Sequence, residues 1–129
     1  MNTPTNTHPL DHANVGDGAT WSLYTDRKAG TIVKRSAKRI TIRLDAATLL
    51  NGPDSGEDDA LVFTPGGFAG HISGTPRYRY EDDPEGRVLT FSRRVRKNGQ
   101  VVWKLVGTDT HAAGNSLDAG RHHFYDYNF

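Results

Sequence analysis

A chain of 129 residues with 16 basic and 15 acidic side chains, a net charge of +1 and no cysteine has the length of a single domain; it excludes a disulfide scaffold, a thiolate nucleophile and thiolate metal sites. Val, Ile, Leu and Phe make up about a fifth of the residues, near the level where disorder sets in, but the small net charge and twelve aromatics argue for a folded chain with a modest core. No stretch approaches the roughly 20 apolar residues of a membrane helix, and residues 1–14 lack the basic and apolar runs of a secretory signal, so a cytoplasmic protein without a membrane partner is expected.

Residues 1–14 are polar and broken by Pro4 and Pro9, which predicts a flexible N-terminal arm. A single β domain then spans residues 15–129. The turn residues Gly16-Asp17-Gly18 lead into a strand over 19–24, and short β-branched runs at 30–34 and 39–44 follow. In the second run Ile40, Ile42 and Leu44 alternate with Arg39, Thr41 and Arg43, the period-two pattern of a half-buried strand. Residues 45–50 are expected to supply one helical turn. Residues 51–60 form an acidic loop bearing Gly and Pro. Residues 61–63 and 68–72 flank a Pro-Gly-Gly turn as a short hairpin. Residues 87–95 turn through Asn98-Gly99 into 101–106, a pairing that favours a two-residue type I′ turn. Residues 107–119 read as loop. The aromatic ending with Phe124, Tyr125, Tyr127 and Phe129 predicts a docked strand, because leaving these rings in water is costly. The expected fold is all-β: a small antiparallel meander or an SH3-like, partly open barrel with an additional C-terminal β-hairpin. The thin apolar supply leaves room for a homo-oligomer to complete the burial.

The hairpin register places charge. A two-residue loop at Asn98-Gly99 sets Arg94 opposite Trp103 and Val95 opposite Val102. One face then holds Leu89, Phe91, Val95, Val102 and Val106. The other holds Arg94, Arg96, Val101, Trp103 and Leu105, an indole between guanidinium groups. Charge is also segregated along the chain, with seven basic residues and no acid over 27–44, and six basic residues and no acid over 87–104. A polyanion-binding surface built from Arg27, Lys34, Arg39, Arg43, Arg94, Arg96, Trp103 and Lys104 follows, with phosphates held by charge and bases stacked on the indole. The competing reading makes these residues solvated strand faces, with the acidic loops as their partners and Trp103 buried.

Catalytic and metal signatures are not found. His122 and His123 are neighbours and point to opposite faces of a strand, while His8 and His12 lie in the proline-containing segment where no helix aligns them. No Gly-x-Ser-x-Gly motif occurs. The glycine-rich run at 65–71 lacks the Lys-Ser/Thr and the following helix of a phosphate loop. Neither a catalytic residue nor a cofactor is assigned.

Several segments carry a resemblance: VGDGAT at 15–20, YTDR at 24–27, TIV at 31–33, GGFAGH at 66–71, and the ending GRHHFYDYNF at 120–129. Over residues 15–129 the chain resembles a family of small orphan proteins of tailed phages and prophages, for which no activity is established. The resemblance implies a phage-derived accessory protein in an infected bacterial cell, where nucleic-acid binding and interference with host defence are common roles. The leading expectation is a non-enzymatic module binding nucleic acid or a nucleotide. The alternatives are a protein–protein inhibitor of a host defence or housekeeping factor, and a minor virion or assembly component.

Overall fold

The computed structural model describes residues 7–65 and 71–124. Among them ten strands form: β1 (Gly18–Ser22), β2 (Arg27–Arg35), β3 (Arg39–Leu44), β4 (Ala46–Leu49), β5 (Val62–Thr64), β6 (His71–Ser73), β7 (Tyr78–Glu81), β8 (Val88–Val95), β9 (Val101–Leu105) and β10 (Ser116–Ala119). Six of them close an antiparallel barrel in the order β1-β10-β9-β8-β3-β2. Around that ring each strand follows its neighbour in sequence, with one insertion between β3 and β8. The fold is thus an up-and-down meander whose closure removes every free edge of the main sheet. The expected all-β meander is present. It is closed, and the β8–β9 hairpin is part of its wall. The segment read as loop, 107–119, contributes β10, the strand that completes the ring.

Alternation sets the inner face. Ile40, Ile42, Leu89, Phe91, Ala19, Trp21 and Leu117 are buried, while their strand neighbours Thr41, Thr90 and Arg43 face outward. On β2 the pairing with β3 shifts between Ile32 and Lys34, a bulge that inserts Val33. Past it, Lys34 lies outward beside Thr41 and Arg35 turns inward beside Ile40. Gly30 is required where β2 meets β3, since a Cβ there would stand 2.7 Å from the Arg43 carbonyl oxygen.

The turn of the β8–β9 hairpin is where Asn98-Gly99 puts it, but its loop is one residue longer. The Arg96 N–H donates to the Gln100 carbonyl at 2.8 Å and the Gly99 N–H to the Arg96 carbonyl at 2.9 Å. Gly99 alone takes the left-handed region, at φ 88°, so this is a three-residue loop with a glycine bulge. Arg93 therefore pairs with Trp103, and Arg94 with Val102. A one-residue slip turns a whole strand over. On β9 it carries Val101 and Trp103 into the core and Val102 outward, the reverse of the face expected from a two-residue loop.

The N-terminal segment is also docked. Pro9–His12 forms a 3-10 turn capped by His8, whose Nδ1 accepts the Leu10 N–H while the Asp11 carboxylate accepts the His8 N–H. Leu10 is fully buried in the barrel core. Asp11 Oδ1 accepts from Arg93 Nε at 2.9 Å and from Trp103 Nε1 at 3.2 Å. Arg35 donates to the carbonyls of Leu10 and Ala13 at 2.7 and 2.6 Å. Residues 9–12, expected as part of a flexible arm, are a plug in the barrel mouth.

The insertion consists of two two-stranded sheets, β4–β7 and β5–β6. Residues 46–49, expected as a helical turn, form the strand β4 paired with β7. The expected short hairpin is β5–β6, with Val62 opposite Ser73. Asn51 is the clasp: its fully buried side chain donates to the carbonyls of Asp59 and Thr75, both at 2.9 Å, and accepts the Arg77 N–H at 2.8 Å. Asn51→Ala would remove these hydrogen bonds at about 0.5–1.5 kcal/mol each. The expected result is faster amide exchange at Leu61 and Arg77 with unchanged protection in β2 and β3; an unchanged Arg77 amide would contradict it. At the other end, the Arg27 and Phe124 backbones exchange hydrogen bonds of 2.7 and 2.8 Å. The expected docking of Tyr125, Tyr127 and Phe129 lies outside the described residues.

Candidate anion-binding face

The hairpin half of the expected surface is dismantled by the fold. Trp103 is fully buried, with Arg35 stacked over its ring at 5.8 Å, and offers no face to a base. Lys104, on the outer side of β9, is also buried, at 1% exposure. Its Nζ donates to the carbonyls of Ala112, at 2.7 Å, and Gly114. Arg94 donates to Ser92 Oγ and to the carbonyls of Thr108 and Leu105. Arg96 donates to the Thr110 carbonyl and to Gln100 Oε1. These three cations pull the segment 106–115 across the outside of the hairpin by satisfying its backbone carbonyls. Burial, reinforced by the charges of Arg96 and Arg94, pushes the Lys104 amine below its ordinary range.

In the other half, Arg43 donates to Asp82 at 2.7 Å, joining the barrel to the insertion. Arg27 lies at the far end of β2, beside Tyr24 and Phe124. Lys34 and Arg39 remain: both are exposed and neither makes an ion pair among the described residues. Both sit on the outer face, Lys34 opposite Thr41 and Arg39 opposite Ser92. They share a shallow groove of about 350 Å³ with Arg35, Ser36, Thr41 and Thr90, and its described lining holds no carboxylate. The hydroxyls of Thr41 and Thr90 lie 2.9 Å apart across β3 and β8. No family model, curated protein or solved structure matches the chain.

The groove has the chemistry of an anion site: two cations without a carboxylate partner among the described residues, one on each of two adjacent strands, with hydroxyl donors between them. Thr41, Thr90 and Ser36 are members that charge counting overlooked. Their signal was present, since Thr41 occupies the outward phase of the Ile40–Ile42 alternation. Other clusters offer less. Among the described residues no three His, Asp or Glu side chains group as a metal site. His123 packs edge-on against Tyr78 and Tyr80 at 4.6 and 6.4 Å, and burial pushes its imidazole below the usual range. Asp45, with a side chain only 3% exposed, is held by Arg121 at 2.8 Å and by the Thr31 hydroxyl. No described helix is long and apolar enough to cross a membrane.

Proposed function

We propose that the protein is a non-enzymatic module that binds an anionic polymer, nucleic acid foremost, along the outer face of β2, β3 and β8. The observation that carries the reading is the pairing of Lys34 and Arg39, exposed and free of carboxylate partners among the described residues, over one hydroxyl-lined groove. The resemblance to phage proteins supports an accessory role in a bacterial cell. Contact runs through phosphates and not bases: the indole that would have stacked a base is in the core, and the groove's described lining carries no aromatic ring. Binding is therefore indifferent to sequence and steep in salt.

Fluorescence anisotropy with a labelled oligonucleotide at low salt tests this. The double variant Lys34→Glu, Arg39→Glu is expected to weaken binding at least tenfold. Its slope of log affinity against log salt should shrink by roughly two, at about 0.9 for each duplex phosphate that is no longer neutralised. Arg94→Gln with Arg96→Gln should leave affinity within about twofold and lower the melting temperature instead, because those guanidinium groups hold the 106–115 segment. Wild-type protein that binds no oligonucleotide at low salt overturns the proposal.

A further inference from the structure

The near-zero net charge conceals a polar molecule. Residues 45–87 contain nine acidic and three basic side chains, a net charge of −6, while the rest of the chain holds six acidic and thirteen basic ones, a net charge of +7. The acidic stretch is the one that folds as the two small sheets of the insertion, and the basic remainder supplies the barrel strands. Within the insertion, Glu57 and Asp59 pair with Arg77 and Glu81 pairs with Arg79. Asp54 and Asp58 are exposed and make no ion pair among the described residues. Next to this loop, every residue of β5 is exposed, including Val62 at 57% and Phe63 at 52%. Adjacent strand residues point to opposite faces, so β5 holds side chains in water on both of its faces. A two-stranded ribbon in that state is marginal by itself and gains from a surface to lie on.

The barrel carries the complementary surface. Lys34, Arg39 and the turn residue Lys38 are exposed at one end, where β8 also leaves Val95 half in water. We propose that the insertion of one copy, led by β5 with Asp54 and Asp58, docks on the Lys34–Lys38–Arg39 end of a second copy, with Val62 and Phe63 covering apolar surface near Val95. Two different patches meet, so the contact closes as a two-fold pair where both can be used at once and otherwise runs head-to-tail into a ring or a filament. The inference stands apart from polyanion binding, although both use Lys34 and Arg39; a polyanion competes with the neighbour's insertion for them.

Sedimentation velocity without nucleic acid, at about 200 μM protein, decides the matter through salt and charge reversal. Wild-type protein should sediment above the 14.2 kDa monomer in 50 mM salt and return to monomer in 500 mM salt. Asp54→Lys with Asp58→Lys, and separately Lys34→Glu with Arg39→Glu, should each be monomeric with a wild-type melting temperature. Mixed in equal amounts, the two reversed proteins should associate again, because each supplies the charge the other lacks. Phe63→Ser should weaken association at low salt. Monomeric wild-type protein in 50 mM salt overturns the proposal and leaves β5 for a heterologous partner; so does association that survives both reversals, or a mixture that stays monomeric. Wild-type protein that assembles in this way yet binds no oligonucleotide upholds it while overturning the polyanion reading.

Discussion

Trp103→Ala is expected to destabilise the whole fold and not merely to weaken a ligand contact. Trp103 is fully buried among Leu10, Phe91, Ile40 and Leu117, and removing a core aromatic costs about 3–5 kcal/mol. Its Nε1–H is one of the donors that hold Asp11, so the truncation also loosens the plug. Against a total stability of roughly 5–15 kcal/mol, and with a thin apolar supply, that is a large share. A fall in melting temperature of about 10 °C or more is expected by circular dichroism, scaling from a few degrees per kcal/mol at this size. Trp103→Phe keeps most of the ring and loses the donor, and should cost on the order of 1 kcal/mol. A Trp103→Ala protein that melts like wild type would place the indole at the surface and restore the stacking surface.

Asp11 makes the fold acid-sensitive. The Arg93 hydrogen bond above all, with the His8 N–H, the Arg93 charge and the Trp103 donor behind it, holds this carboxyl at about 2, below its ordinary 3.8 and against the opposing effect of burial. The folded value lies below the unfolded one, so the unfolded chain takes up the proton more readily. The contribution is therefore present in full above about pH 4 and is lost as pH falls towards 2. That depression corresponds to about 2 kcal/mol, with little loss to solvent because the side chain is only 14% exposed. Asp11→Asn should destabilise by about that amount at pH 7, and its difference from wild type should shrink as pH falls from 4 to 2. Urea melts at several pH values measure this; a difference that stays constant down to pH 2 would show that the Arg93 pair contributes nothing. Leu10→Ala, which empties the plug itself, should cost about 2–5 kcal/mol at every pH.

The same residues mark how far the sequence reaches. Alternation of Ile40 and Ile42 with Thr41 and Arg43 was sufficient for β3, because side chains on a strand must alternate whatever lies across from them. Asn98-Gly99 located the hairpin turn, since glycine tolerates positive φ at almost no cost. The spread of basic and acidic segments is likewise a property of the chain, and it includes Lys34 and Arg39 among eight candidate residues without setting them apart.

Other features depended on partners distant in sequence. Whether the loop after Arg96 holds two residues or three is decided by which face of β9 fits the barrel, and a buried Trp103 bonded to Asp11, 92 positions away, outweighs the preference of a dipeptide for one turn type. Leu10 is a lone apolar residue between prolines and polar groups, with no periodicity to mark it; only an open barrel mouth makes it core. Ser116–Ala119 is a strand because β1 and β9 both present edges to it, not because its residues alternate. Arg94, Arg96 and Lys104 differ from Lys34 and Arg39 in nothing a composition or spacing rule detects. The first three lie beneath a segment whose carbonyls need donors and the other two do not. Local sterics and period, which are written residue by residue, determined the strands and turns; register, closure and the choice of which cations stay free are settled by long-range burial and hydrogen-bond satisfaction, which exist only once the barrel has closed.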